Sequence, residues 1–257
     1  MTYNERISHT TEKEVLVDPE EQIVLSEKYP FHPAALETLQ AEYPHLAYAE
    51  EDDLISFNVS RFSEEQLYFF YQDISFFINN PELPRENIIC RLDNFHPRNA
   101  SQERLLQAAY DFAATETYKG RGLFVTGAVG TGKTHSAVAL AKQFFMLGEE
   151  TRYIADPGYR DTREIDREDR RITRTWILDD MNSPFGEGMK YFKQITMRVH
   201  NTGGKVFVTS NQPLEYLLSH GFVTEPNEEE RFRDRIKGMY EIIKVTGESY
   251  RKPAGIR

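Results

Sequence analysis

Glycines are concentrated at one point of the chain, where four of them fall within "GLFVTGAVGTGKTH", residues 122–135. The spacing G-x-x-x-x-G-K-[ST] is matched by four residues of this stretch, Gly127, Gly132, Lys133 and Thr134. Glycine permits positive φ and has no Cβ, so successive backbone N–H groups can converge on phosphate oxygens. The stretch therefore predicts a phosphate cradle between a strand and a helix.

The side chains of this motif have separate expected roles. Lys133 would reach the β- and γ-phosphates of a nucleotide, and the Thr134 hydroxyl would hold Mg²⁺. The N-terminus of the following helix adds N–H groups and a partial positive charge. We predict that the ligand is ATP with Mg²⁺ and that the residues binding it here are Gly127, Val129, Gly130, Thr131, Gly132, Lys133, Thr134 and His135.

Two carboxylates follow a second apolar run further along the chain. The sequence from Trp176 to Leu178 is typical of a buried strand, and Asp179 and Asp180 stand directly after it. Asp179 is predicted to hold Mg²⁺ together with Thr134, and Asp180 to orient and polarise the attacking water. Asp180 is therefore a candidate catalytic residue, as Lys133 is.

A third apolar strand, Lys205–Thr209, leads to a polar residue, Asn211. Its amide is expected one strand end away from Asp180, where it could hydrogen-bond the water or the γ-phosphate. The alternative is that Asn211 only opens the turn before Pro213. Strands that alternate with helices predict an α/β fold with a parallel sheet covered on both faces. Ligands of such sheets bind at the carboxyl ends of the strands, where these residues are found.

Five stretches after residue 85 occur in an order that is specific to one family: "RLDNFHPRNASQERLLQAAYDF", "GTGKTHSAVALA", "WILDDM", "VFVTSNQP" and "RFRDRIKGMYEIIKVTGESYR". They resemble the DnaC/DnaI-type helicase loaders and the related IstB-type transposition ATPases, a branch of the AAA+ superfamily. The resemblance implies a P-loop core with a five-stranded parallel sheet, ATP hydrolysis and oligomerisation in the ATP-bound state. It also implies that Asn211 is the first sensor, that Arg235 is an arginine finger and that Arg251 is a second sensor.

Acidic residues are concentrated in the first third of the chain. Residues 1–84 carry 17 Asp and Glu against 4 Lys and Arg, a net charge of -13, whereas residues 85–257 carry 24 against 27, or +3. The proline-containing stretch "PELPRENIIC" predicts a boundary near Pro84, between an N-terminal domain and an AAA+ P-loop ATPase domain. A capping box at Ser63 and Gln66 begins the aromatic-rich run "RFSEEQLYFFYQDISFFINN", so the N-terminal domain is expected to be small and mainly helical.

The acidic domain favours a protein partner, because its negative charge repels the phosphates of a nucleic acid. The resemblance suggests a replicative helicase as that partner. The aromatic run is read as the core of the domain, with an exposed docking face as the alternative. Single-stranded DNA is an alternative ligand of the six arginines between residues 160 and 174, but interleaved acidic residues there favour a solvated, salt-bridged face.

Composition excludes several classes of protein. A single cysteine, Cys90, allows no intramolecular disulfide, and no apolar run is long enough for a membrane helix. The polar N-terminus is unlike a signal peptide. We therefore expect a cytoplasmic protein without a membrane partner.

These features predict an ATP-hydrolysing AAA+ protein that acts as a helicase-loader-like assembly factor in DNA replication. One alternative is an IstB-like transposition ATPase, which would need to bind DNA. Another is a nucleotide-dependent regulator or scaffold that does not bind nucleic acid, which the acidic domain also suits. A small-molecule kinase fits less well, because the paired carboxylates Asp179 and Asp180 and the Arg235 side chain suit hydrolysis.

Overall fold

The computed structural model describes residues 15–18, 22–25, 33–51, 54–80, 83–115, 120–157, 175–183, 187–221 and 226–250. The chain divides into two units, Met1–Ile89 and Cys90–Arg257, and each is described by itself. The boundary predicted from the sequence was near Pro84. The arginine-rich stretch 160–174 lies outside the described residues, so its interpretation stays a prediction. None of the described helices is both long enough and apolar enough to cross a bilayer.

In its described residues the N-terminal unit combines an antiparallel sheet with two α-helices and a short 3-10 helix, Arg85–Asn87. The strand order is β1-β2-β4-β3. The elements are β1 (Val15–Asp18), β2 (Gln22–Leu25), α1 (Pro33–Glu42), β3 (Ala47–Glu51), β4 (Leu54–Asn58) and α2 (Glu64–Asn79). In the described residues the helices hold more residues than the strands, but the sheet itself was not predicted. Its strands are only four or five residues long. An alternation of apolar and polar residues over so short a length cannot be distinguished from the surrounding sequence.

Helix α2 forms much of the core of this unit. Its predicted capping box is confirmed, with Ser63 and Gln66 each accepting a hydrogen bond from the other's backbone N–H. Phe70, at the centre of the helix, is fully buried and meets Tyr43 and Phe57 edge-on, with both pairs of ring centroids 5.3 Å apart. Most of the aromatic run therefore packs inside the unit, as the core interpretation expected.

The second unit contains the predicted five-stranded parallel sheet. The strand order is β6-β7-β8-β5-β9, and all four neighbouring pairs are parallel. The strands are β5 (Arg121–Gly127), β6 (Thr151–Ala155), β7 (Thr175–Asp179), β8 (Lys205–Ser210) and β9 (Tyr240–Val245). The helices are α3 (Ala100–Ala114), α4 (Lys133–Met146), α5 (Glu187–Thr202), α6 (Leu214–His220) and α7 (Pro226–Met239).

Burial of the central strands explains this arrangement. Every residue of β7 and β8 is buried, as expected for strands that are covered by helices on both faces. Because the strands are parallel, β5, β7 and β8 end at the same edge of the sheet, at Gly127, Asp179 and Ser210. The fold therefore brings three predicted motifs to one edge.

Candidate nucleotide site

The phosphate-binding loop links β5 to α4 and depends on glycine at two points. Gly130 and Gly132 have φ of 79° and 97°, in the left-handed region that residues with a Cβ rarely adopt. A Cβ on Gly132 would also overlap the ring of Phe95, and one on Gly130 would overlap the side chain of Ser249. Helix α4 begins directly after Gly132, so its first-turn N–H groups lie at the loop, as an anion site requires.

Lys133 is folded into this loop. Its Nζ donates hydrogen bonds to the carbonyl oxygens of Gly127 at 2.9 Å and Ala128 at 2.8 Å, and the residue is only 6% exposed. Both acceptors are neutral, and hydrogen bonds from an ammonium to charged acceptors are stronger. The loop therefore already holds a buried positive charge where phosphate oxygens would be better partners than the carbonyls.

A buried carboxylate stands behind the loop. Asp179, at the end of β7, accepts hydrogen bonds from the hydroxyls of Tyr153 at 2.8 Å and Thr209 at 2.5 Å. Burial raises the pKa of the Asp179 carboxyl above its usual range, while these hydroxyl hydrogen bonds act in the opposite direction. A bound cation would favour the ionised form. Thr134 and Asp179 thus provide the oxygen donors that suit Mg²⁺.

Tyr153 was not predicted from the sequence. It lies on β6, which pairs with β7 so that Tyr153 is opposite Ile177, and its ring is buried. Burial and the negative charge of Asp179 raise the pKa of the Tyr153 hydroxyl well above its usual value, so it stays protonated and donates. The one signal in the sequence was a phenol hydroxyl in the middle of the short strand Thr151–Ala155.

The second carboxylate, Asp180, lies in a polar cluster at the ends of β7 and β8. Its φ of 64° is left-handed, which Asp tolerates better than most residues, and its N–H donates to Thr209 Oγ1 at 2.9 Å. Its Oδ1 accepts from the side-chain amides of Asn182 at 2.6 Å and Asn211 at 3.2 Å. The structure thus brings Asn211 to Asp180. The sequence analysis did not include Asn182.

Three other candidates make mainly structural contacts. His135 Nε2 donates to the Arg91 carbonyl oxygen at 2.8 Å, and burial lowers the pKa of the His135 ring, which favours its neutral form. The Thr131 hydroxyl donates to the Ala128 carbonyl oxygen at 2.9 Å and is buried. Val129 is 54% exposed at the loop tip. Their predicted contacts with nucleotide would have to come largely through the backbone.

Arg235 is far along the sheet from the phosphate-binding loop of its own chain. Its Nη1 donates a hydrogen bond to Met197 Sδ at 2.8 Å. Helix α7 runs directly into Tyr240, which pairs with Gly122 at the start of β5, so Arg235 lies about one helical turn from the opposite edge of the sheet. If Arg235 contacts a γ-phosphate, the nucleotide is therefore expected to be bound to another subunit.

The predicted second sensor, Arg251, lies outside the described residues. The residue before it, Tyr250, is bound to the phosphate-binding loop: its N–H donates to the Gly130 carbonyl oxygen at 2.8 Å. The Tyr250 hydroxyl donates to the His96 carbonyl oxygen at 2.6 Å. The segment that follows β9 therefore returns to the loop, and the role of Arg251 stays a prediction.

Comparisons with known proteins bear on the fold. No protein-family model matches the sequence, and no curated protein matches it. Among solved structures, DnaI is similar over 66% of this chain and 95% of its own, with 21% identity and a TM-score of 0.52. A candidate primosome component from Streptococcus pyogenes serotype M3 is similar over 66% and 93%, with 20% identity and a TM-score of 0.50. The DnaC helicase loader aligns over 63% and 100%, with 22% identity and a TM-score of 0.47. The resemblance stated from the sequence is confirmed at the level of fold: the chain shares its α/β fold, with the predicted five-stranded parallel sheet, with DnaI.

Proposed function

We propose that this protein binds and hydrolyses ATP and acts as a helicase-loader-like assembly factor in DNA replication. The observation that carries the proposal is a glycine loop that holds the Lys133 ammonium, at the edge of the sheet where β7 ends in the buried Asp179 carboxylate. Backbone N–H groups of the loop and Lys133 would hold the phosphates, and Thr134 and Asp179 would hold Mg²⁺. When bound, Mg²⁺ offsets the negative charge of the phosphates.

The polar cluster supports hydrolysis rather than binding alone. Asp180 is the exposed carboxylate of the pair and is fixed by donors from two sides, so it can accept a hydrogen bond from an attacking water and orient it. The Asn211 amide, next to Asp180, can donate to the water or to a γ-phosphate oxygen. In this proposal Lys133 and Asn211 stabilise charge, Asp180 aligns the water and Arg235 of an adjacent subunit completes the site.

The first test concerns Asp180. In Asp180→Asn we expect ATP to bind with unchanged affinity, because the phosphate contacts remain, while the rate of phosphate release falls about 10²-fold or more, because the charge that polarises water is lost. Measurements of ATP affinity and single-turnover phosphate release separate the two effects. Asp111→Asn, on the exposed surface of α3, is the matched control and should behave as the wild type. An equal loss of binding and turnover would instead make Asp180 a metal ligand or a structural residue.

The proposed role in replication is supported by the fold shared with DnaI and by the charge of residues 1–84, which suits a protein partner. We expect the full chain to form a complex with the replicative helicase of its own organism, and to form it more tightly with ATP than without. Co-elution of the two purified proteins in size-exclusion chromatography measures this. No complex with or without ATP would contradict the loader role and leave the ATPase assignment intact.

A further inference from the structure

Asn182 connects the ends of two strands in the polar cluster. Its Nδ2 donates to Asp180 Oδ1 at 2.6 Å, and its Oδ1 accepts from the backbone N–H of Asn211 at 2.7 Å. The same Oδ1 lies 3.5 Å from the Ser210 hydroxyl oxygen. One side chain therefore binds the carboxylate after β7 with its donor and the backbone after β8 with its acceptor.

This bridge fixes two groups that the proposed reaction uses. Asp180 is exposed, and its backbone has a left-handed φ. The hydrogen bond from its N–H to Thr209 Oγ1 on β8 fixes its backbone but not its carboxylate. Asn211 follows the last residue of β8, beyond the ladder of the sheet. We infer that Asn182 is a positioning residue for ATP hydrolysis, one that holds the Asp180 carboxylate and the Asn211 amide in a fixed relation. The inference rests on the proposed function.

The chemistry requires an amide at this position. A carboxylate would keep the acceptor for the Asn211 N–H, but it would lose the donor to Asp180 and place a second negative charge beside it. Alanine would remove both hydrogen bonds. The alanine variant thus removes the whole bridge, whereas the aspartate variant removes only the bond to Asp180.

Because misplacement of a reacting group by about 1 Å can cost about 10²-fold in rate, we expect a fall of about 10-fold or more in kcat for Asn182→Ala and for Asn182→Asp. The affinity for ATP should stay within about twofold of the wild type, since Asn182 makes none of the loop contacts. Asn201→Ala, on the exposed end of α5 at the opposite edge of the sheet, is the matched control and should leave both quantities unchanged.

A double-mutant cycle with Asp180→Asn separates positioning from a general structural role. Because Asn182 acts in part through the Asp180 carboxylate, Asn182→Ala should lower the single-turnover rate several-fold less when Asp180 is already Asn than in the wild-type background. An equal drop in both backgrounds, or wild-type kcat in either Asn182 variant, would overturn the inference. Absence of hydrolysis by the wild-type chain would overturn the proposed function, and the inference with it. Asn182→Asp conserves side-chain size, so the test stands even where the alanine variant does not fold.

Discussion

Replacement of Lys133 by alanine is expected to weaken ATP binding by at least about 100-fold, because two charge-assisted hydrogen bonds of about 1.5–3 kcal/mol each are lost. The ammonium is buried in the glycine loop and bonded to two backbone carbonyls, so it is already placed among the groups that would surround the phosphates. No other described side chain makes these two contacts. Calorimetric titration of the full chain with ATP and Mg²⁺ measures the effect.

Lys237→Ala is the control for this experiment, since it removes the same charge from an exposed position on α7. It should bind ATP as the wild type does. If Lys133→Ala bound ATP with near wild-type affinity, the assignment of residues 127–134 as a phosphate-binding loop would be wrong.

Arg235→Ala is expected to bind ATP normally and to lose about 10³-fold or more in hydrolysis rate, the contribution that arginine fingers make when a partner supplies them. Arginine suits this role because its planar guanidinium stays charged and can bind two phosphate oxygens. Within one chain Arg235 lies near the edge of the sheet opposite Gly127, so we expect the side chain to act across an interface between subunits. The role thus requires an ATP-bound homo-oligomer.

Mixing variants tests action between subunits. Combined with Lys133→Ala, the Arg235→Ala variant should regain part of its activity, because an intact phosphate-binding loop of one variant then meets an intact arginine of the other. Arg231→Ala, one turn earlier on α7 and exposed, is the matched control and should hydrolyse ATP as the wild type does. No recovery where mixed oligomers demonstrably form would exclude a trans-acting finger. If Arg235→Ala alone kept full activity, Arg235 would be a surface residue without a role in hydrolysis.

The phosphate-binding loop and the parallel sheet could be predicted because their signals are local. The spacing of Gly127, Gly132 and Lys133 specifies a backbone conformation within a few residues, and the apolar runs of β7 and β8 are continuous. Parallel strands end at one edge, so the proximity of Asp180 and Asn211 followed from the order of elements. The structure brings their side chains to 3.2 Å.

Other parts of the site depend on contacts between distant strands. Tyr153 and Thr209 are 26 and 30 residues from the Asp179 that they hydrogen-bond, and only the order β6-β7-β8 places them beside it. Asn182 stands two residues after Asp180, but its acceptor role depends on the turn after β8. In the N-terminal sheet the strands are too short to be recognised from their alternation, and the pairing of β2 with β4 also depends on a contact across α1 and β3.

ATP hydrolysis by this protein is tested most directly by a time course of phosphate release by the full chain with ATP and Mg²⁺ and no phosphate acceptor. We expect steady release that requires Mg²⁺ and is absent in Lys133→Ala. The proposed hydrolysis would be contradicted if the wild-type chain bound ATP but released no more phosphate than Lys133→Ala does. This comparison is made at protein concentrations where the chain self-associates.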